Sequence, residues 1–162
     1  MTTEYLVADD HPLELFDWKL YLPSFKPAEL ISPDLLANGI MHGLDLQAAM
    51  KLQRFRDRIH QMTGEGFLIN HGTHYRRGVR SLNDQRVLAA RYGAAELYSH
   101  HCSGKAFDVS LTSWANYSPE WLADKAREFH YSGIGLYDTF VHVDTRDAIN
   151  GQITFWDKRS KR

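Results

Sequence analysis

The sequence predicts a single α+β domain, a small antiparallel sheet with flanking helices. Three observations carry that expectation. The chain has 162 residues and a mass of 18.7 kDa, a length that suits one domain. Helix start and stop signals fall in its first two-thirds, whereas strand-like runs concentrate later. No internal repeat, low-complexity linker or composition break marks a second domain. With 43% apolar and 24% charged residues, the composition is that of a globular chain rather than a disordered one.

Residues 1–44 are punctuated by Pro12, Pro23, Pro27, Pro33, Gly39 and Gly43, the pattern of an irregular arm with short helical turns packed on the body. The body, residues 45–162, opens with a helix over about 46–62. Asp45 can cap its start and Gly64 can end it. Leu52, Phe55, Ile59 and Met62 form its expected buried stripe. Lys51, Arg54, Arg56 and Arg58 fall largely off that stripe, as a solvated basic face or, alternatively, a polyanion contact. A short strand is expected over 66–70. Ser81-Leu82-Asn83-Asp84 matches a capping box and opens a helix that stops at Gly93. Ser118-Pro119-Glu120 starts another, burying Leu122, Ala126 and Phe129 and ending near Gly133. The remaining strand-like runs are Lys105–Leu111, Phe140–Thr145 and Ile153–Trp156.

Nineteen basic and twenty acidic residues give a net charge of −1, which argues against a surface that tracks nucleic acid. No stretch approaches the roughly 20 apolar residues of a membrane helix, so no membrane insertion is expected. Cys102 is the only cysteine, so no intrachain disulfide can form. Residues 1–20 carry Glu4, Asp9, Asp10, Glu14 and Asp17 without a basic leader and apolar run. That reads as a chain made in a cytoplasm without a secretory signal peptide.

Nine histidines are many for this length, and two segments concentrate the chemistry: Tyr98 to Val109 and Gly135 to Asp144. Strand alternation places Phe107 and Val109 on one face and Asp108 on the other. By the same parity, Val141 and Val143 point into the core while His142 and Asp144 share the opposite face. An acid at the centre of a sheet is costly unless paired or coordinated. His101 sits in the loop that feeds the first strand. A His, Asp, His set leaves the fourth tetrahedral position of zinc for water. Nine histidines and twenty acids also assemble such a set by chance, so structural polar pairs remain the competing reading of the spacing.

Ser99-x-His101-x-x-Gly104-x-Ala106-x-Asp108 resembles the signature of the D-alanyl-D-alanine carboxypeptidase-like zinc peptidases, a group related in fold to lysostaphin- and hedgehog-type metallopeptidases. Gly133 to Tyr137 and Phe140 to Asp144 look like the strand pair that delivers that family's last histidine. The similarity covers roughly residues 66–157. It implies that His101, Asp108 and His142 are zinc ligands around an open cleft. Arg80 resembles the arginine that the family sets near the substrate carboxylate or peptide oxygens, with Arg76 and Arg77 as alternatives. His100 does not match a ligand position, and Ser99 suits ordering the loop better than attack on substrate.

The general base departs from the common pattern, because the acid three residues before the final histidine is replaced by Thr139. Asp138 and Asp144 are the two carboxylates that could take its place, Asp144 having a role in orienting a ligand histidine as its other reading. Trp114, Tyr117, Trp121 and Tyr137 line either a cleft or the core. The basic residues of 158–162 read as a solvated end. The resemblance thus implies a monomeric zinc peptidase acting on peptidoglycan peptides. A bacterial cytoplasm would make it and a separate pore would release it to the cell wall, as for a phage endolysin. A non-catalytic zinc-binding relative and a phage structural or assembly protein are the alternatives.

Overall fold

Side chains that satisfy otherwise orphaned amides set the helix starts in the computed structural model, which describes residues 17–37, 44–69, 78–92 and 99–160. Three short helical turns, α1 (Trp18–Tyr21), α2 (Pro27–Leu30) and α3 (Pro33–Ala37), make up the described part of the arm. Leu30 of α2, with Leu22, Phe25 and Ile31 between the turns, is buried in the same core as the body. Residues 1–16 and 38–43 of the arm lie outside the described residues.

α4 (Leu46–Thr63) begins where Asp45 accepts from the Ala48 amide at 2.9 Å. It ends where Gly64 takes a left-handed φ of 70°. Leu52, Phe55 and Ile59 are buried as expected. Met62 is 41% exposed, because the last turn runs past the edge of the core. α5 (Leu82–Tyr92) follows Ser81, whose hydroxyl accepts from the Asp84 amide at 3.1 Å. Its expected stop at Gly93 lies outside the described residues. α6 (Pro119–Glu128) is capped by Ser118 and buries Leu122, Ala123 and Ala126. It stops five residues before the expected Gly133: His130 adopts a φ of 60°, and after Tyr131 and Ser132 the chain enters a strand.

That strand, β3 (Gly133–Leu136), joins β1 (Phe67–Ile69), β2 (Ala106–Leu111), β4 (Val141–Asp144) and β5 (Thr154–Asp157) in one sheet of order β1-β2-β4-β3-β5. β1, β2, β4 and β3 pair antiparallel, as expected. β5 departs from that expectation: it runs parallel to β3, so the sheet is mixed. The segment after β4 carries the chain back across the sheet end and sets β5 on the free side of β3. The described residues thus form a single-domain α+β fold with a five-stranded mixed sheet.

Phe107, Val109, Ile134, Val141 and Val143 form the sheet's share of the core and are fully buried. α6 packs on β3 and β4, and α4 beside β1. Each large apolar side chain withdrawn from water there contributes about 1.5–3 kcal/mol. The other face of the same strands carries Asp108, His142 and Asp144. No helix among the described residues is long and apolar enough to cross a membrane.

Candidate metal centre

Register places the polar side chains in rows across the sheet. Asp108 of β2 lies opposite His142 of β4, which lies opposite Gly135 of β3 and then Trp156 of β5. The next row reads Ala106, Asp144, Gly133 and Thr154. The small residues of these rows make room. A Cβ on Gly133 would fall on the Asp144 carboxylate, and one on Gly135 would fall on the Trp156 indole.

His101 reaches the first row from the loop before β2. Ser99 Oγ accepts from the His101 amide at 3.2 Å, so Ser99 does order the loop, and Gly104 supplies a φ of 68° at its exit. His101 Nδ1 lies 2.9 Å from the Gly78 carbonyl, which can only accept, so Nδ1 is the donor and Nε2 keeps its lone pair. Nε2 sits 3.4 Å from Asp108 Oδ1. The Gly78 segment is itself fixed by the arm, since Val79 donates to the Leu30 carbonyl and Ser32 to that of Val79. The arm therefore braces the strip of chain that orients His101.

His142 meets a carboxylate at each ring nitrogen. Nδ1 lies 3.0 Å from Asp108 Oδ1 and Nε2 lies 2.8 Å from Asp144 Oδ2. His101, Asp108 and His142 are all buried, and one ligand atom from each lies within 4.8 Å of the others. Two imidazole nitrogens and a carboxylate oxygen at this separation can hold a metal ion. The group was assembled from the sequence by parity and resemblance, and the structure brings its three members together.

Burial and the facing carboxylates pull the titratable groups in opposite directions. Burial pushes His101 below its ordinary value, with Asp108 opposing. Burial pushes His142 down as well, but its bonds to Asp108 and Asp144 win and raise it to about 9. Burial would raise Asp108, yet the charge and hydrogen bond of His101, then those of His142, hold it well below the usual carboxylate range. The raised value keeps a proton on His142 at neutral pH, between the two carboxylates.

The other singled-out residues separate into those beside the group and those away from it. Arg80 is buried, its amide donates to the His101 carbonyl at 3.1 Å, and its guanidinium donates to Gln85 Oε1 at 2.6 Å. Arg76 and Arg77 lie outside the described residues. Asp144 is fully buried, with His142 Nε2 on one oxygen and Arg146 on both. It meets His142 at the ring nitrogen remote from Asp108. Asp138 is exposed in the turn between β3 and β4, where it accepts from the amide and hydroxyl of Ser160. His100 is half-buried, and burial lowers its pKa. Trp114, Tyr117 and Trp121 pack against the core, whereas Tyr137 accepts from Trp156 Nε1 at 3.2 Å.

Sequence reading missed two side chains here. Arg146 grips Asp144 from an irregular segment with no periodicity to flag it, its place two residues after Asp144 being the one available signal. Trp156 falls in an expected strand that gives it no role, yet its ring centroid lies 5.1 Å from that of His142. Compared with known protein families and with curated proteins, the chain matches none.

Proposed function

We propose that the protein is a zinc-dependent peptidase that hydrolyses stem or crosslink peptides of bacterial peptidoglycan, in the manner of a phage endolysin. The observation that carries this reading is the buried His101–Asp108–His142 group. Its members fall at the positions of two motifs that resemble the D-alanyl-D-alanine carboxypeptidase-like zinc peptidases. A zinc ion held there supplies Lewis-acid polarisation of the scissile carbonyl and a coordinated water whose pKa is lowered towards 7.

The chain's own residues supply the rest. His101 presents Nε2 because the Gly78 carbonyl holds Nδ1. Asp108 and His142 Nδ1 complete the three donors. Arg80, whose amide donates to the His101 carbonyl and whose guanidinium donates to Gln85, takes the part of the family's arginine near a substrate carboxylate or the attacked carbonyl oxygen. Of the two acids weighed as general base, Asp144 is committed to His142 and Arg146. Asp138 has the carboxylate that reaches solvent, and it is the one we assign to proton transfer. Action at the cell wall, after release from the cytoplasm of the producing bacterium, is part of the same proposal.

A second reading, a metal-binding relative without turnover, is favoured by Thr139 at the usual acid position together with the commitment of Asp144. One experiment separates the two. Purified peptidoglycan is incubated with zinc-loaded protein or with His101→Ala, and the products are read by mass spectrometry. New peptide termini made only by the unmutated protein are expected, and they identify the bond. Stoichiometric zinc without any new terminus would leave the non-catalytic reading standing.

A further inference from the structure

The strongest feature outside the three donors is the way His142 is held from behind. Its Nε2 meets Asp144, and Asp144 is fully buried. A buried carboxylate needs partners, and Arg146 supplies most of them. Arg146 Nε donates to Oδ1 at 2.8 Å, Nη2 donates to Oδ2 at 2.5 Å, and the Arg146 amide donates to Oδ1 at 3.1 Å. A positively charged fork of this kind grips a buried carboxylate through charge-assisted hydrogen bonds.

The guanidinium is itself placed. Its central carbon lies 5.0 Å from the centroid of the Trp156 ring, and Ser132 Oγ donates to the Arg146 carbonyl. Trp156 also stands beside the His142 ring and is tied by Nε1 to Tyr137. Gly133 and Gly135 leave the space in which the carboxylate and the indole lie. Ser132, Gly133, Gly135, Trp156 and Arg146 thus converge on one consequence, the orientation of a single imidazole.

We propose that Arg146 is a positioning residue: acting through Asp144, it fixes the ring of His142 so that Nδ1 is the nitrogen presented towards Asp108 and His101. The proposal rests on the metal-site reading given above and deepens it by naming what holds the third donor in place. A ring free to turn about its side-chain bonds would spend much of its time with the wrong nitrogen, or neither, at the site. Partners of this kind typically alter metal affinity by about 10–100-fold.

The test uses the full chain with two substitutions. Arg146→Met keeps an unbranched stem against Trp156 but removes the charge and the fork. Arg146→Lys keeps the charge. Zinc affinity is measured by competition with a chromophoric chelator, and the His142 Nε2–H resonance is followed by NMR in the metal-free protein. Arg146→Met is expected to weaken zinc at least tenfold and to broaden or lose that resonance. Arg146→Lys is expected to stay within about threefold of the unmutated protein and to keep it. An Arg146→Met protein that melts like the unmutated one, binds zinc within twofold of it and retains the resonance would overturn the proposal. Unmutated protein that binds no zinc would remove the peptidase reading instead, while the resonance still decides whether Arg146 holds the ring. Should Arg146→Met fail to fold, Arg146→Gln, which removes the charge and the fork but keeps a polar side chain, takes its place: about tenfold weaker zinc with loss of the resonance is expected, and zinc within about twofold with the resonance retained would overturn the proposal.

Discussion

On one face of the sheet Phe107, Val109, Ile134, Val141 and Val143 meet the helices with no polar atom among their side chains. On the other face, the intervening residues of the same strands bury Asp108, His142 and Asp144. The first face stabilises the fold by withdrawing apolar surface from water. The second does the opposite: taking charges out of water costs several kcal/mol per ion, and pairing offsets that cost only where geometry is good. Replacing a buried ion pair by well-packed apolar residues is often neutral or stabilising. The charged face is therefore better explained by the metal ion that His101, Asp108 and His142 could hold than by what it holds together.

The largest expected effect tests that division directly. Phe107→Ala should destabilise the protein by about 3–5 kcal/mol in chemical denaturation. Zinc binding per folded molecule should be left in place. Asp108→Asn, one residue away, should abolish measurable zinc binding, because an amide oxygen is a poor substitute for the carboxylate. If Asp108→Asn bound zinc as tightly as the unmutated chain, the charged face would lose its rationale.

A second, smaller effect separates the faces by pH in the metal-free protein. His142 is raised to about 9 from an ordinary 6.5, so the folded state binds its proton more tightly than the unfolded chain does. Its contribution is fully present below about 6.5 and is lost as pH rises through about 9. His101 is lowered and acts with the opposite sign, its contribution falling as pH drops below about 6.5. The depressed Asp108 and Asp144 subtract further as pH falls below about 4. Metal-free stability should therefore peak near neutrality and decline on the alkaline side by at most on the order of 3 kcal/mol. Urea midpoints at neutral and alkaline pH check this. Added zinc should flatten the alkaline decline, since a bound cation replaces the proton of His142; an unchanged decline would argue against Nδ1 as a donor.

The two faces were also unequally legible. Alternation of Val141, His142, Val143 and Asp144 announces both faces at once, because a period of two sends successive side chains to opposite sides of a strand. Parity could put Asp144 beside His142 but could not say which ring nitrogen it meets. That depends on χ angles, and on Arg146, which lies outside any regular element. β3 was invisible to periodicity because Gly-Ile-Gly-Leu has weak strand propensity. Resemblance alone singled it out. Its glycines are there for the charged face, so the feature that hid the strand is the one the site requires. The parallel pairing of β5 escaped for another reason: direction depends on how residues 145–153 cross the sheet end, and no local pattern encodes that.

Gly135 offers the finest test, because local propensity and the site pull in opposite directions there. Replacing a strand glycine with alanine normally stabilises by about 0.5–1 kcal/mol, through the entropy of the unfolded chain. Here the new methyl would meet the Trp156 indole, and overpacking of this kind costs about 1–3 kcal/mol. The indole belongs to an edge strand and is only half-buried, so it can move at the low end of that range. Gly135→Ala should therefore lose about 1 kcal/mol or less. It should shift the indole N–H resonance of Trp156 away from its position on Tyr137, and it should weaken zinc modestly through the displaced neighbour of His142. A gain in stability with that resonance unmoved would mean that β3 is glycine-rich for reasons unrelated to the charged face. The contrast between the two faces would then rest on β2 and β4 alone.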